Sequence, residues 1–191
     1  MVIVDAEKIT RTKATRLKTW LVASHFINEP PNRIRQPDVK GKTVEIPGVS
    51  FLVPRKISHG LVDTINRLFN YRNHYAFISD DSTREDKKVT LSIVRGENPY
   101  NILRLQQTNG INFGISTDSL ITALKAFGEK YPYTILEADF DRCLLRLERE
   151  PDDWVAMSKE VLKLCPSDEV TPEQVAEALR AEKGIISLWW D

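Results

Sequence analysis

The chain has 191 residues, 41% of them hydrophobic and 28% charged, and its formal net charge is zero. This length allows one well-buried core or two small domains. No stretch approaches the roughly 18 apolar residues of a membrane span, and the N-terminal MVIVDAEKITRTK lacks the apolar run of a signal peptide. These features exclude a membrane-spanning protein and predict a cytoplasmic one.

The zero net charge conceals a gradient along the chain. Residues 1–46 carry nine Lys or Arg against five Asp or Glu, whereas residues 134–191 carry seven against fourteen, a balance of −7. An acidic C-terminal half is a poor surface for nucleic acid and a good one for a basic partner protein. A solvated face without a partner is the alternative interpretation.

The first segment, ITRTKATRLKTWLVASHF, places Ala14, Leu17, Trp20 and Leu21 at helical spacing and predicts an amphipathic helix. Residues 28–42, NEPPNRIRQPDVKGK, contain three prolines and one glycine, which neither continue a helix nor enter a sheet interior. We therefore predict a helix and a Pro-rich linker over residues 1–46, followed by a single α+β domain over residues 47–191.

From Pro47 onward, strand and helix patterns alternate. GVSFLV is typical of a strand, ISHGLVDTINRLF of a helix, and HYAFIS and KVTLSIV of two further strands. The next helix begins at Asn98-Pro99 and stops at TNG, where Gly110 suits a left-handed helix end. We expect that glycine to be needed for its conformation.

The same order then recurs: a helix with Ser116 as its cap, a hairpin of YTILEAD and RCLLRLE, and a helix opened by PDDWV. Two similar helix–hairpin–helix units thus follow each other. The predicted fold is α+β, with a mainly antiparallel sheet of about six strands and helices packed on it.

The end of the chain carries the clearest local signals. TPEQ is a capping box, in which the side chains of Thr171 and Gln174 each accept a hydrogen bond from the backbone N–H of the other residue. Gly184 suits the end of that helix. IISLWW then predicts a C-terminal strand within the sheet, with both of its faces apolar enough to be covered. An exposed Trp189 that serves as a binding anchor is the alternative.

The common sequence motifs of nucleotide-binding, hydrolase and zinc-peptidase sites are missing from the sequence. It contains no GxxxxGK[ST], GxGxxG, GxSxG or HExxH pattern. Cys143 and Cys165 are expected to be free thiols, and two cysteines without a nearby histidine do not predict a zinc site. The sequence therefore predicts no cofactor and no metal.

In the stretch TNGINFGIST, Asn109 and Asn112 lie close together in a connection between two predicted helices, and this connection contains two glycines. One interpretation is structural: a helix stop, an Asx turn and the next helix start. The other is a polar loop whose amides and side chains bind a partner or a small ligand.

Three separated motifs resemble one known family. NPYNILRLQQTNGINFGISTDSLITAL, CPSD and the terminal LWWD together are similar to the bacterial family named domain of unknown function 4253, from about Pro47 to Asp191. That family more often has an acidic residue where Asn101 stands, Tyr where Phe113 stands, and CPD in place of CPSD. The resemblance implies a small bacterial intracellular α+β protein and supplies no catalytic residues.

We predict a non-enzymatic protein-binding domain, and in sharper form an immunity protein that neutralises a cognate toxin encoded beside it. The basis is the missing catalytic motif and the acidic C-terminal half. An enzyme with an unrecognised site near the TNGIN loop and the terminal Trp-Asp is the alternative; nucleic acid and membranes are not expected as partners, and the oligomeric state stays open. The candidate binding residues are Asn109, Asn112, Asp118, Asp152, Asp153, Glu169, Glu173, Trp189 and Asp191.

Overall fold

The computed structural model describes residues 32–37, 43–68, 74–80, 88–96 and 98–190. The amphipathic helix predicted before the linker lies outside these ranges. The chain divides into two compact units, the first ending at Leu105 and the second beginning at Gln106. Within the described ranges, no helix combines the length and the apolar character that crossing a membrane requires.

The first unit is a four-stranded antiparallel arrangement with two helices, in the strand order β1-β2-β4-β3. Its elements are β1 (Asn32–Pro37), β2 (Thr43–Pro54), α1 (Arg55–Leu68), β3 (His74–Asp80), β4 (Lys88–Arg95) and α2 (Asn101–Gln106), whose last residue belongs to the second unit.

Helix α1 is held to the strands by its apolar face and by one buried amide. Leu61, Val62 and Ile65 are buried at helical spacing. The Asn66 side chain donates to the carbonyl of Ala76 at 3.1 Å and accepts from its N–H at 2.7 Å. Because the oxygen and the nitrogen of this buried amide are both hydrogen-bonded, the bonds offset the cost of removing the amide from water. The side chain therefore fixes α1 to β3.

Strand β1 corrects the predicted linker. Residues 32–37 pair with β2, from Asn32 opposite Ser50 to Pro37 opposite Thr43. The linker prediction for residues 28–42 is therefore wrong at 32–37. The prolines excluded a sheet interior, but β1 is the edge strand of its unit and Pro37 is its last residue, positions where proline is tolerated. The domain boundary at residue 46 stays a prediction.

The second unit contains three strands and three helices, with β6 between β5 and β7 and antiparallel to both. A short 3-10 helix at Ile111–Phe113 precedes them. The elements are α3 (Thr117–Lys130), β5 (Tyr133–Ala138), β6 (Arg142–Leu147), α4 (Trp154–Leu164), α5 (Pro172–Ala181) and β7 (Ile185–Trp189).

The predicted helix caps of this unit are confirmed. Ser116 Oγ accepts from the N–H of Ser119 at the start of α3. At the start of α5, Thr171 Oγ1 accepts from the N–H of Gln174, while the Gln174 side chain accepts from the N–H of Thr171 at 2.8 Å. Gly184, with φ of +78°, follows α5 as predicted. The side chains of Ser116, Thr171 and Gln174 thus accept hydrogen bonds from backbone N–H groups that have no partner within the helix.

Strand β7 is bound into the sheet, as predicted, but only one of its faces is covered. Ile186, Leu188 and Trp190 are fully buried, whereas Ser187 and Trp189 are exposed. The prediction of a strand covered on both faces is therefore wrong. Alternation shows which side chains share a face, but it does not show whether another layer packs on that face.

The α+β class is confirmed, and the finer prediction of a mainly antiparallel sheet of about six strands is not. Seven strands are described, four in the first unit and three in the second, and the strand pairing of the fold is mixed rather than mainly antiparallel, although every pair described within a unit is antiparallel. Periodicity marks a strand without giving its direction relative to another. The recurrence of a helix–hairpin–helix unit stays a prediction.

Candidate functional site

Four segments of the second unit converge at one of its ends. The N–H of Asn109 donates to the carbonyl of Phe140 at 2.9 Å, and the N–H of Trp190 donates to the carbonyl of Asp141 at 2.9 Å. The indole N–H of Trp190 donates to the carbonyl of Leu164, also at 2.9 Å. We call residues 109–113, 139–141, 165–170 and 187–190 the Trp189 surface. The TNGIN, CPSD and LWWD motifs thus meet in space.

Gly110 is buried directly against the ring of Trp190. A Cβ atom on Gly110 would lie 2.7 Å from Trp190 Cδ1 and 2.8 Å from Cγ, closer than carbon atoms approach. The predicted left-handed conformation of Gly110 is wrong, since its φ is −122°. Helix α2 ends at Gln106, and the left-handed residue is Gln107, with φ of 55°. A glycine is needed at position 110 because the Trp190 ring leaves no room for a side chain, and not because of its backbone conformation.

We expect Gly110→Ala to lower the free energy of unfolding by about 1–3 kcal/mol, because the added methyl group overpacks the Trp190 ring. Urea denaturation of the two proteins measures the difference. Gly60→Ala is the matched control: a Cβ there meets nothing within 4 Å, so inside α1 it should be neutral or stabilising. Equal stability of Gly110→Ala and wild type would contradict this packing.

The Asn109 side chain holds its own loop in shape. Its Nδ2 donates to the carbonyl of Gln107 at 2.8 Å, and its Oδ1 accepts from the N–H of Ile111 at 3.0 Å. This is the Asx-type turn of the structural interpretation. Asn112 lies exposed in the 3-10 helix that follows. A direct binding role for either amide stays a prediction.

All large hydrophobic side chains that are exposed in the described part of the chain belong to the Trp189 surface. Two of them expose more than half of their surface to solvent: Ile111 is 74% exposed and Trp189 is 59% exposed. The indole N–H of Trp189 donates to Asp141 Oδ2 at 3.3 Å, which orients the ring. Large apolar side chains that are exposed on segments bonded to one another make this region the candidate interaction site. The five side chains are Ile111, Phe113, Phe140, Val170 and Trp189.

The charged residues around this surface are mostly acidic, although Arg142 and Arg146 of β6 stand opposite Trp189 and Ile185 of β7. Residues 107–118, 139–141, 165–173 and 187–190 contain six carboxylates and no Lys or Arg. A cluster of one sign produces a field that attracts the opposite charge and repels its own. This acidic border consists of Asp118, Asp139, Asp141, Asp168, Glu169 and Glu173.

Two of the predicted binding residues lie at the opposite end of the unit. Asp152 and Asp153 precede α4, and the guanidinium of Arg180, in the last turn of α5, lies 5.9 Å from the ring centroid of Trp154. The two helices are therefore antiparallel, and the start of α4 lies about 16 Å from its end at Leu164. Asp153 accepts from the N–H groups of Val155 and Ala156 as the helix cap.

The predicted site residues therefore separate into two groups. Asn109, Asn112 and Trp189 belong to the Trp189 surface, as does Glu169, while Asp118 and Glu173 lie in its border. Asp152 and Asp153 do not. Asp191 lies outside the described residues. Sequence reasoning missed Phe140 and Ile111, because an apolar residue in a turn gives no functional signal until its exposure is known.

The opposite end carries a small polar cleft of about 140 Å³, lined by Lys130–Pro132 and Arg149–Asp152. Beside it, Glu160 Oε1 lies 3.1 Å from Lys163 Nζ and 3.3 Å from Lys130 Nζ. The hydrogen bond from Lys163, and then the bond and charge of Lys130, lower the pKa of Glu160. This end of the unit is polar and paired, unlike the Trp189 surface.

The family comparison bears on the same region. The chain matches the family described as Domain of unknown function (DUF4253) over residues 90–191, slightly more than half of its length. The chain belongs to this family. The resemblance drawn from the motifs is confirmed, although the match begins at Thr90 and not near Pro47. No curated protein and no solved structure matches the chain.

The DUF4253 match spans the whole second unit and therefore the Trp189 surface, together with both cysteines. Both thiols are free, as predicted. Desolvation by burial, and then the nearby charge of Glu137, raises the pKa of Cys143 far above its usual range. Burial also raises the pKa of Cys165, whose Sγ donates to the carbonyl of Trp189 at 3.0 Å. Both environments disfavour the thiolate that nucleophilic or metal chemistry needs.

The raised pKa of Cys143 makes stability depend on alkaline pH. The buried thiol stays protonated in the folded protein, whereas the unfolded thiol ionises above about pH 8.5. Its contribution is complete below that pH and is lost as the pH rises, by up to about 1.4 kcal/mol per pH unit. Urea denaturation between pH 7.5 and 10.5 should therefore show a shallower decline for Cys143→Ala than for wild type. Parallel declines would contradict the burial of a protonated thiol.

Proposed function

We propose that this chain is a protein-binding domain that engages its partner through the Trp189 surface. One observation supports this most: every exposed large hydrophobic side chain of the described residues lies on segments that hydrogen bonds join at one end of one unit. Interface centres are enriched in aromatic side chains, and a few of these carry most of the binding energy. Trp189, Phe140 and Phe113 supply such side chains.

The aromatic side chains are already held in position. The Trp189 indole is bonded to the Asp141 carboxylate, and the backbone of Phe140 is bonded on both sides, to the Asp139 carboxylate and to the N–H of Asn109. A preorganised anchor loses less conformational entropy on binding. The surface is thus suited to stoichiometric recognition.

In its sharper form, the proposal is an immunity protein that neutralises a cognate toxin. The support is electrostatic: the six carboxylates of the acidic border attract a basic protein and raise its association rate. A protein that must capture a toxin before it acts gains from a fast association. The enzyme with a site near Asn109 and Asn112 remains the alternative, and it differs in stoichiometry.

The test is co-expression with the product of the adjacent gene, followed by co-purification and by protection assays at graded ratios. The proposal expects one-to-one capture and full protection at equimolar amounts. Reversing the charge of Glu169 and Glu173 together should weaken capture, whereas Asp152→Lys at the opposite end is the matched control and should not. Protection at strongly sub-stoichiometric amounts means turnover and supports the enzyme. No capture of the adjacent product contradicts the proposal.

A further inference from the structure

The outer edge of β7 has backbone groups without partners among the described residues. In the antiparallel pairing of β6 with β7, the N–H of Trp190 donates to Asp141 and the N–H of Leu147 donates to Gly184. Since such pairs alternate along a ladder, residues 184, 186, 188 and 190 direct their N–H and C=O groups towards β6. Residues 185, 187 and 189 therefore direct theirs outward.

Two of these outward groups are used within the described chain. The N–H of Ile185 donates to the carbonyl of Glu182, and the carbonyl of Trp189 accepts from Cys165 Sγ. The N–H and C=O of Ser187, the N–H of Trp189 and the C=O of Ile185 have no partner in the described ranges. Such an open edge is a template for another strand.

This edge runs into the Trp189 surface. Ser187 and Trp189 are exposed on the uncovered face of the strand, and Asp141 links Trp189 to the turn that carries Phe140. A strand added beside β7 would therefore run next to Trp189. Strand addition gives affinity through main-chain hydrogen bonds and specificity through alternate side chains.

We propose that the partner contributes an extended segment, with Lys or Arg alternating with apolar residues, that pairs with the outer edge of β7. This inference rests on the proposed function. The charge of the border selects the occupant: its six carboxylates outnumber Arg142 and Arg146, the two arginines of the neighbouring strand β6, and favour a basic strand. A second copy of this chain would bring a second acidic border to the same edge, and like charges disfavour that pairing.

Ser187→Pro removes the central donor of this edge. The side chain of Ser187 is exposed and its N–H points away from β6, so proline is tolerated there as in other edge strands. The pyrrolidine ring also obstructs the approach of a strand. Ser187→Ala keeps the N–H and is the matched control. A thermal unfolding curve and the amide spectrum of Ser187→Pro verify that it is folded.

The probe is a blocked nine-residue peptide of alternating lysine and valine, titrated into the full chain while amide hydrogen exchange is followed. We expect exchange at Ser187 and Trp189 to slow by about tenfold or more on binding, since each amide gains a hydrogen bond. Leu188, already paired with β6, should not change. We expect Ser187→Pro to bind at least about tenfold more weakly than Ser187→Ala, and the glutamate–valine peptide not to bind.

Several results would overturn the strand inference. These are peptide binding without protection of Ser187 and Trp189, equal binding to Ser187→Pro and Ser187→Ala, no peptide binding to wild type, or dimerisation of the chain with a protected edge. The proposed function is judged separately with the adjacent gene product. Equal capture of that product by wild type and Ser187→Pro would overturn only the strand inference.

Discussion

Replacing Trp190 by alanine is expected to lower the free energy of unfolding by about 3–5 kcal/mol. Trp190 is 1% exposed and is among the largest fully buried side chains of the described residues. Its removal leaves a cavity beside Gly110 and takes the indole donor from the carbonyl of Leu164. The loss therefore combines apolar transfer, a cavity and an unsatisfied buried acceptor.

The neighbouring tryptophan is the matched control for this prediction. Trp189 is 59% exposed, and its indole bonds only to the surface carboxylate of Asp141 in the described structure. We expect Trp189→Ala to change the free energy of unfolding by about 0.5 kcal/mol or less. Urea denaturation of both variants at neutral pH measures the contrast. Comparable losses in the two variants would contradict the inward and outward assignment of the pair.

The second large effect concerns binding. We expect Trp189→Ala to weaken capture of the adjacent gene product by about 2–4 kcal/mol, which is roughly 30-fold to 1000-fold in the dissociation constant. The reason is that a large ring held ready by Asp141 is the kind of side chain that dominates an interface. Isothermal titration calorimetry with wild type and variant measures the difference.

Two further variants make that result specific. Phe140→Ala lies in the turn that bonds to Asn109 and should weaken binding in the same direction. Asp152→Asn lies at the far end of α4 and removes a charge without removing a helix cap, since Asp153 provides the cap. We expect its affinity to match that of wild type. A loss with Asp152→Asn equal to that with Trp189→Ala would place the interface elsewhere.

The sequence predicted what depends on local chemistry. The capping box of Thr171 and Gln174, the Ser116 cap and the buried face of Leu120, Ile121 and Leu124 follow from hydrogen bonding and periodicity within one element. The C-terminal strand was predictable for the same reason. Such signals act over a few residues, and tertiary contacts here reinforce them.

What depends on distant residues was not predictable. Gly110 reads as a helix end, but its absent side chain makes room for Trp190, eighty positions later in the chain. The linker prediction failed since an edge strand tolerates Pro37. Neither the mixed sheet nor the exposure of Phe140 is encoded in a local pattern. The candidate site is assembled from four separate segments. The sequence therefore indicated several of its residues one by one, but it did not show that they lie together.

The most direct test of the Trp189 surface is an amide chemical-shift titration of the full chain with the adjacent gene product. We predict that the perturbed amides of the second unit cluster in residues 109–113, 139–141, 165–170 and 187–190, and that the perturbations saturate at one equivalent. Perturbations centred on Lys130–Pro132 and Arg149–Asp152, or no perturbation at saturating concentrations, would contradict protein binding through this surface.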